Sequence, residues 1–103
     1  MNVQQMMKQA KSIQLKIQEL QKVIEQKEII GTAGGGAVTI ITNGKNKVIK
    51  VKINKKIINI DEIEIIEDLV TVAFNNAKKN AEQYSQQEMN KLGLSPDMLQ
   101  GMI

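Results

Sequence analysis

The fold of this chain is decided by a β-rich stretch, residues 28–56, which reads EIIGTAGGGAVTIITNGKNKVIKVKINKK. Its β-branched runs are separated by Gly34-Gly35-Gly36 and by Asn43-Gly44. Both sequences are typical of tight β-turns, because glycine and asparagine tolerate positive φ angles. We therefore predict an antiparallel β-meander with strands at Glu28–Ala33, Ala37–Thr42 and Val48–Ile53.

The third predicted strand alternates between apolar and basic residues. Because successive side chains of a strand point to opposite faces, Ile49, Val51 and Ile53 are expected to face a core. Lys50 and Lys52 are then expected to face water or a ligand.

A long helix is predicted before this sheet, over residues 2–27. Apolar residues recur there at alternating spacings of three and four, which is a heptad seam. At 1.5 Å per residue the helix would be about 39 Å long, so it must lie along another helix or project into solvent. The seam consists of Val3, Met6, Ala10, Ile13, Ile17, Leu20 and Ile24.

A second long helix is predicted from Asp61 or Glu62 to Leu92, after a connection that can hold one helical turn at Lys55–Ile58. Five acidic residues crowd its start, between positions 61 and 68, where carboxylates complement the helix dipole. Gly93 predicts its end, and Ser95-Pro96-Asp97 predicts the cap of a further short turn. Its apolar seam is Ile66, Val70, Ala73, Ala77, Ala81 and Tyr84, whose small residues would let another helix come close.

Charge is distributed unevenly along the chain. All 14 basic residues are lysines, and residues 1–60 carry a net charge of +8 against −5 for residues 61–103. Such asymmetry indicates an anionic partner, nucleic acid first. The alternative is that the acidic helix start packs beside the lysine-rich strand and cancels much of its field.

The composition argues against catalysis, metal binding and membrane insertion. Histidine and cysteine are absent, so the side chains most used for proton transfer, covalent catalysis and soft-metal binding are missing. We expect no enzymatic activity, no cofactor and no small-molecule substrate. No apolar run has the length of a membrane span, and a soluble cytoplasmic protein is expected.

Lysine without arginine supports one mode of nucleic-acid binding. Lysine neutralises phosphates independently of sequence, whereas guanine is most often read by arginine. Stacking platforms for single strands need several exposed aromatic residues, and the chain has one Tyr and one Phe. The residues therefore favour contact with the backbone of double-stranded DNA.

The second helix carries the clearest resemblance to a known family. The run IEDLVTVAFNNA, residues 66–77, resembles the LEDL…A.N.A signature of the YbaB/EbfC nucleoid-associated family. The opening Met7-Lys8-Gln9-Ala10 and the order helix, glycine-rich turn, hairpin, helix are also similar, and together they cover residues 4–92. The resemblance implies a non-enzymatic, DNA-binding homodimer shaped like tweezers and located in the nucleoid.

The candidate DNA-binding lysines come from two sources. The resemblance places contacts on projecting helices, which nominates Lys8, Lys11, Lys78 and Lys79. The residues themselves add Lys16 on the first helix and the cluster Lys45, Lys47, Lys50 and Lys52 around the last hairpin.

The sequence thus predicts an α+β fold of long helix, three-stranded meander and long helix. We assign residues 1–92 to a single DNA-binding domain and residues 93–103 to a short C-terminal tail. An alternative function stays open, in which the first helix docks a partner helix and the protein is an interaction module without direct DNA binding.

Overall fold

The computed structural model describes residues 2–93. Its first element is a long helix, α1, which begins at Val3 and ends at Gln26. Asn2 caps it, because its Oδ1 accepts a hydrogen bond of 2.8 Å from the backbone N–H of Gln5. At Lys27 the backbone becomes extended, with φ −71° and ψ 129°. The predicted helix is confirmed to within one residue at each end.

The predicted meander is also confirmed. Strands β1 (Ile29–Ala33), β2 (Val38–Thr42) and β3 (Val48–Ile53) form one antiparallel sheet in the order β1-β2-β3. The first connection uses Gly34, Gly35 and Gly36 at φ angles of 64°, 66° and 92°. These left-handed angles are the reason that three glycines stand in a row there.

The second connection lies where Asn43-Gly44 predicts a hairpin, between Thr42 and Val48. It is a loop over residues 43–47, in which Asn46, with φ 68°, has the left-handed backbone. Asn43 Oδ1 accepts hydrogen bonds from the backbone N–H groups of Lys45 and Lys47, at 2.8 and 3.1 Å. Gly44 serves another purpose: its N–H donates to the Ile24 carbonyl at 2.9 Å, and a Cβ would overlap that oxygen.

The second helix, α2, spans Ile63–Lys91 after two 3₁₀ turns, Lys55–Ile57 and Ile60–Glu62. It begins one or two residues later than predicted, because the second 3₁₀ turn takes up Asp61 and Glu62. Gly93, with φ 72°, follows its end. The cap predicted at residues 95–97 lies outside the described residues.

One part of the core lies between α2 and the inner face of the sheet. Ala73 and Ala77 pack on Val38 and Ile40, and all four are buried. The helix comes so close that a Cβ on Gly31 would overlap the backbone of Ala73 and Ala77. The small residues of α2 therefore admit strand β1, and the expectation that they admit another helix is wrong at these positions.

A second part of the core lies between α1 and the last turns of α2, which run antiparallel. Ile17, Leu20 and Ile24 are buried against Met89, with Tyr84 beside them. The ammonium of Lys27 lies 5.2 Å from the centre of the Tyr84 ring, within cation–π distance. The first half of α1 extends beyond the end of α2, which gives dimensions of 70 × 20 × 19 Å.

Strand β3 corrects the prediction that its odd positions face a core. Ile49, Val51 and Ile53 are 61%, 45% and 37% exposed. Val51 and Ile53 are paired with Ile40 and Val38, so they do lie on the face that α2 covers. The helix, however, lies over β1 and β2, and β3 extends beyond it.

Candidate nucleic-acid interface

All nine candidate lysines are exposed, and they lie in three separate groups. Within residues 2–93, Lys45 alone among them forms an ion pair, with Glu25 at 3.9 Å. That contact joins the 43–47 loop to the end of α1. The groups are Lys8, Lys11 and Lys16 on α1, Lys45, Lys47, Lys50 and Lys52 around β3, and Lys78 and Lys79 on α2.

The α1 group lies on the projecting part of the helix. Every residue from 2 to 16 is exposed, and no acidic residue occurs before Glu19. Lys16 lies where α2 ends, in a groove with Leu20 and Leu92. Lys8 and Lys11 line another groove nearer the tip, with Met7, Ala10 and Gln14. This end of the molecule therefore carries positive charge with no local acid.

The β3 group lies mainly on the outer face of the sheet. Lys50 is paired with Ile41 and Lys52 with Thr39, and these positions alternate with the buried Val38, Ile40 and Thr42. The outer face is therefore the one that α2 leaves uncovered. It carries two lysines and no acidic side chain, because its other members are Ile30, Thr32, Thr39 and Ile41.

The α2 group faces a different direction. Asn76 and Asn80 point to strand β1, and the intervening Lys78 and Lys79 lie on the sides of the helix away from the sheet. The structure therefore separates these two lysines from Lys50 and Lys52 by the thickness of a helix and a sheet. One chain does not bring the nine candidates into one continuous surface.

The acidic start of α2 does not pair with the β3 lysines. Within the described part of the chain, no lysine of the β3 strand lies within 4.0 Å of a carboxylate between positions 61 and 68. Residues 2–93 thus show no direct ion pair between the acidic helix start and the β3 lysines. The same residues hold no group of three or more acidic side chains placed to bind a metal ion.

Two asparagines have a role that sequence reasoning missed. The side-chain amides of Asn76 and Asn80 donate hydrogen bonds of 2.8 Å to the carbonyls of Thr32 and Ile30. These carbonyls lie on the outer edge of β1, so α2 closes that edge of the sheet. The signal in the sequence is their spacing of four on the same side of α2 as Ala73 and Ala77.

The fold and the exposed lysines together define a small α+β protein suited to a polyanionic partner. Comparison with known families is more specific. The chain belongs to the YbaB/EbfC DNA-binding family, whose model matches residues 1–96.

Curated relatives agree with this assignment. The chain is 39% identical to a nucleoid-associated protein of Clostridium novyi over 92 residues, covering 89% of this chain and 81% of that protein. It is 40% identical to a nucleoid-associated protein of Desulfotalea psychrophila, covering 89% and 87%. The fold is similar to that of an uncharacterized protein of Helicobacter pylori, HP0035, with a TM-score of 0.77, 16% identity and coverage of 89% and 97%.

Neither α1 nor α2, within residues 2–93, is long and apolar enough to cross a membrane.

Proposed function

We propose that this protein is a non-enzymatic, nucleoid-associated DNA-binding protein of the bacterial cytoplasm. It acts as a dimer and holds the backbone of duplex DNA through lysines, with little base specificity. The observation that carries the proposal is the set of nine exposed lysines, eight of which have no ion-pair partner within residues 2–93, on a chain of a DNA-binding family.

The kind of side chain supports backbone contact over base reading. An exposed lysine that meets a phosphate releases a condensed counterion, and this gain does not depend on the base sequence. Arginine, the residue most often paired with guanine, is absent. Tyr84 and Phe74 pack against the two parts of the core, so neither is free to stack on a base.

The exposed inner face of β3 supports the dimer. Val51 and Ile53 extend the apolar face formed by Val38 and Ile40, and β3 is an edge strand with β2 as its partner in the sheet. Exposed apolar residues beside an unpaired edge are typical of a surface that another chain covers. A second copy packed there leaves both α1 helices projecting, as in a pair of tweezers.

The test is a salt series of DNA titrations combined with a mass measurement on the same sample. Affinity for a short duplex should fall as salt rises, with a slope of log K against log salt near −0.9 for each phosphate neutralised. Duplexes of different sequence should bind within about threefold of one another, because phosphate contacts carry no sequence information. The absence of binding at low salt would reject the proposal.

A second function is favoured by the exposed seam of α1. Val3, Met6 and Ile13 are 70%, 54% and 39% exposed, as in a helix that docks a partner helix. In this alternative the lysines keep the helix soluble and the partner is a protein. A chain that is monomeric alone, does not bind DNA and assembles with a partner protein would support it over DNA binding.

A further inference from the structure

The described residues pack as two layers that meet along one side of α2. The sheet packs on Ala73 and Ala77, and α1 packs beside Tyr84 further along the same helix. Tyr84 follows Ala77 by seven residues, nearly two full turns, so both point to the same side of α2. One layer therefore consists of α1 and the sheet, and the other consists of α2 alone.

The two layers differ in the sign of their charge. Residues 3–53, which form α1 and the sheet, contain nine lysines and three acidic residues, whereas α2 contains three lysines and five acidic residues. The ion pairs found among residues 2–93, Lys45–Glu25 and Lys91–Glu88, each join two residues of the same layer. Direct pairing between the layers therefore does not remove the difference.

Lysines of the first layer point away from α2. Lys50 and Lys52 lie on the outer face of the sheet. Lys8 is exposed and lies two residues before Ala10 of the α1 seam, about 200° round the helix and so nearly opposite the seam. Lys11 stands in the same relation to the next seam residue. One side of the molecule thus presents lysines from the tip of α1 to strand β3.

We propose that duplex DNA lies along the layer of α1 and the sheet, and that α2 faces away from the DNA. This inference rests on the proposed function, and it favours the candidate lysines of α1 and β3 over Lys78 and Lys79. Those two lie on the sides of α2 away from the sheet, and Glu82 is one turn further along from both. A phosphate that approached α2 would meet more carboxylates than lysines, and like-charge repulsion opposes that contact.

The proposed dimer enlarges the same surface. Because β3 is the open edge of the sheet, two chains joined through β3 place their outer faces side by side. Lys50 and Lys52 of both chains then lie on one continuous face. A duplex carries about one charge per 1.7 Å of its axis, so an extended basic face engages more phosphates than separate patches do.

Neutralising lysines in pairs tests which layer contacts phosphates. Lys50→Gln with Lys52→Gln should make the slope of log K against log salt shallower by about two, one for each lost phosphate contact. Lys78→Gln with Lys79→Gln removes the same charge and is the matched control, which should leave the slope within about 0.5 of the parent value. An equal or larger change from the α2 pair would overturn the proposal.

The absence of cysteine allows the two sides to be mapped directly. Thr32→Cys and Asn75→Cys are each labelled with an iron–EDTA reagent, which cuts nearby DNA when it is activated. Thr32 is exposed on the outer face of the sheet, and Asn75 lies two residues after the buried Ala73, on nearly the opposite side of α2 from the sheet. The Thr32 conjugate should cut a bound duplex several times more strongly than the Asn75 conjugate.

Binding of the unlabelled parent to the same duplex separates the two possible failures. If the parent does not bind, the proposed function and this inference both fail. If the parent binds and the Asn75 conjugate cuts as strongly as the Thr32 conjugate, or more strongly, the inference alone is overturned.

Discussion

At the scale of single residues, two glycines fix the distances between elements. Gly31 lets strand β1 lie against the backbone of α2, and Gly44 lets the 43–47 loop lie against the end of α1. Neither has a positive φ angle, in contrast to Gly34, Gly35 and Gly36. Their requirement is for space and not for an unusual backbone conformation.

Gly31→Ala should lower the free energy of unfolding by about 3 kcal/mol, because the added methyl group overlaps backbone atoms that cannot rotate away. The control is Gly35→Ala, where no atom lies within 4 Å and the cost is that of a left-handed alanine, about 1 kcal/mol. Urea unfolding of both variants measures the difference. Equal losses would mean that the close approach of α2 and β1 is not needed for stability.

Asn80→Ala should lower the free energy of unfolding by about 1 kcal/mol, because the variant loses one hydrogen bond to the Ile30 carbonyl. It should also aggregate faster on heating, since the edge of β1 becomes available for pairing with another chain. Light scattering during a thermal ramp measures this second effect. Asn75→Ala, at an exposed position one residue before Asn76, should change neither property.

Local sequence predicted where the turns lie but not which contacts each turn residue makes. The glycine trio was a tight turn, as predicted, because three consecutive left-handed residues leave few alternatives. Asn43-Gly44 correctly marked a hairpin between the strands that end at Thr42 and begin at Val48. Gly44 is needed for contact with Ile24, about 20 positions away, and such a requirement is invisible in the local pattern.

At the scale of elements, the α1 seam divides into a buried half and an exposed half. The heptad pattern predicted one continuous stripe, of which Ile17, Leu20 and Ile24 are buried. It could not predict the division, because that depends on where α2 ends relative to α1. The length of a helix is encoded in its own sequence, but the length over which two helices overlap is a property of the fold.

Ile17→Lys should destabilise the fold by about 3 kcal/mol or more, because it places an unpaired charge in the buried cluster of Leu20, Ile24 and Met89. Lys16→Glu, on the exposed side one residue earlier, should change stability by less than about 0.5 kcal/mol. Thermal unfolding followed by circular dichroism at 222 nm compares them. Equal tolerance would show that the seam is assigned incorrectly.

The groups of lysines can be ranked by charge reversal in pairs. Lys8→Glu with Lys11→Glu should weaken DNA binding more than Lys50→Glu with Lys52→Glu, because the family resemblance places contacts on the projecting helices. The double variant that loses more affinity should also have a shallower slope of log K against log salt, by about two, one for each lost phosphate contact. A larger effect from the strand pair would place the main contact on the outer face of the sheet.

At the scale of the whole molecule, the chain is long and thin, with much of its apolar surface exposed. Ile49, Val51 and Ile60 are 61%, 45% and 86% exposed, which is unusual for isoleucine and valine in a chain that stays alone. The sequence predicted that β3 has an apolar face. α2 leaves this face open because one helix is too narrow to cover three strands. The sequence could not predict this, because it does not indicate which strands the helix lies over.

Val51→Glu should raise the dissociation constant of the proposed dimer by about 100-fold or more, because it places a charge in the middle of the exposed apolar face. Sedimentation velocity over a concentration series measures the constant. Lys52→Glu, the next residue on the opposite face, serves as the matched control and should leave it within about threefold. A Val51→Glu protein that stays dimeric would place the interface elsewhere.

Among residues 2–93 the two edges of the sheet are unequal, since α2 closes one with Asn76 and Asn80 and the edge on β3 has no neighbouring element. Each chain therefore has one sheet edge at which another chain can add a strand. When two chains join through these edges, both outer edges of the combined sheet are the ones that Asn76 and Asn80 close. Association by this route therefore terminates at a pair and does not propagate into a fibre.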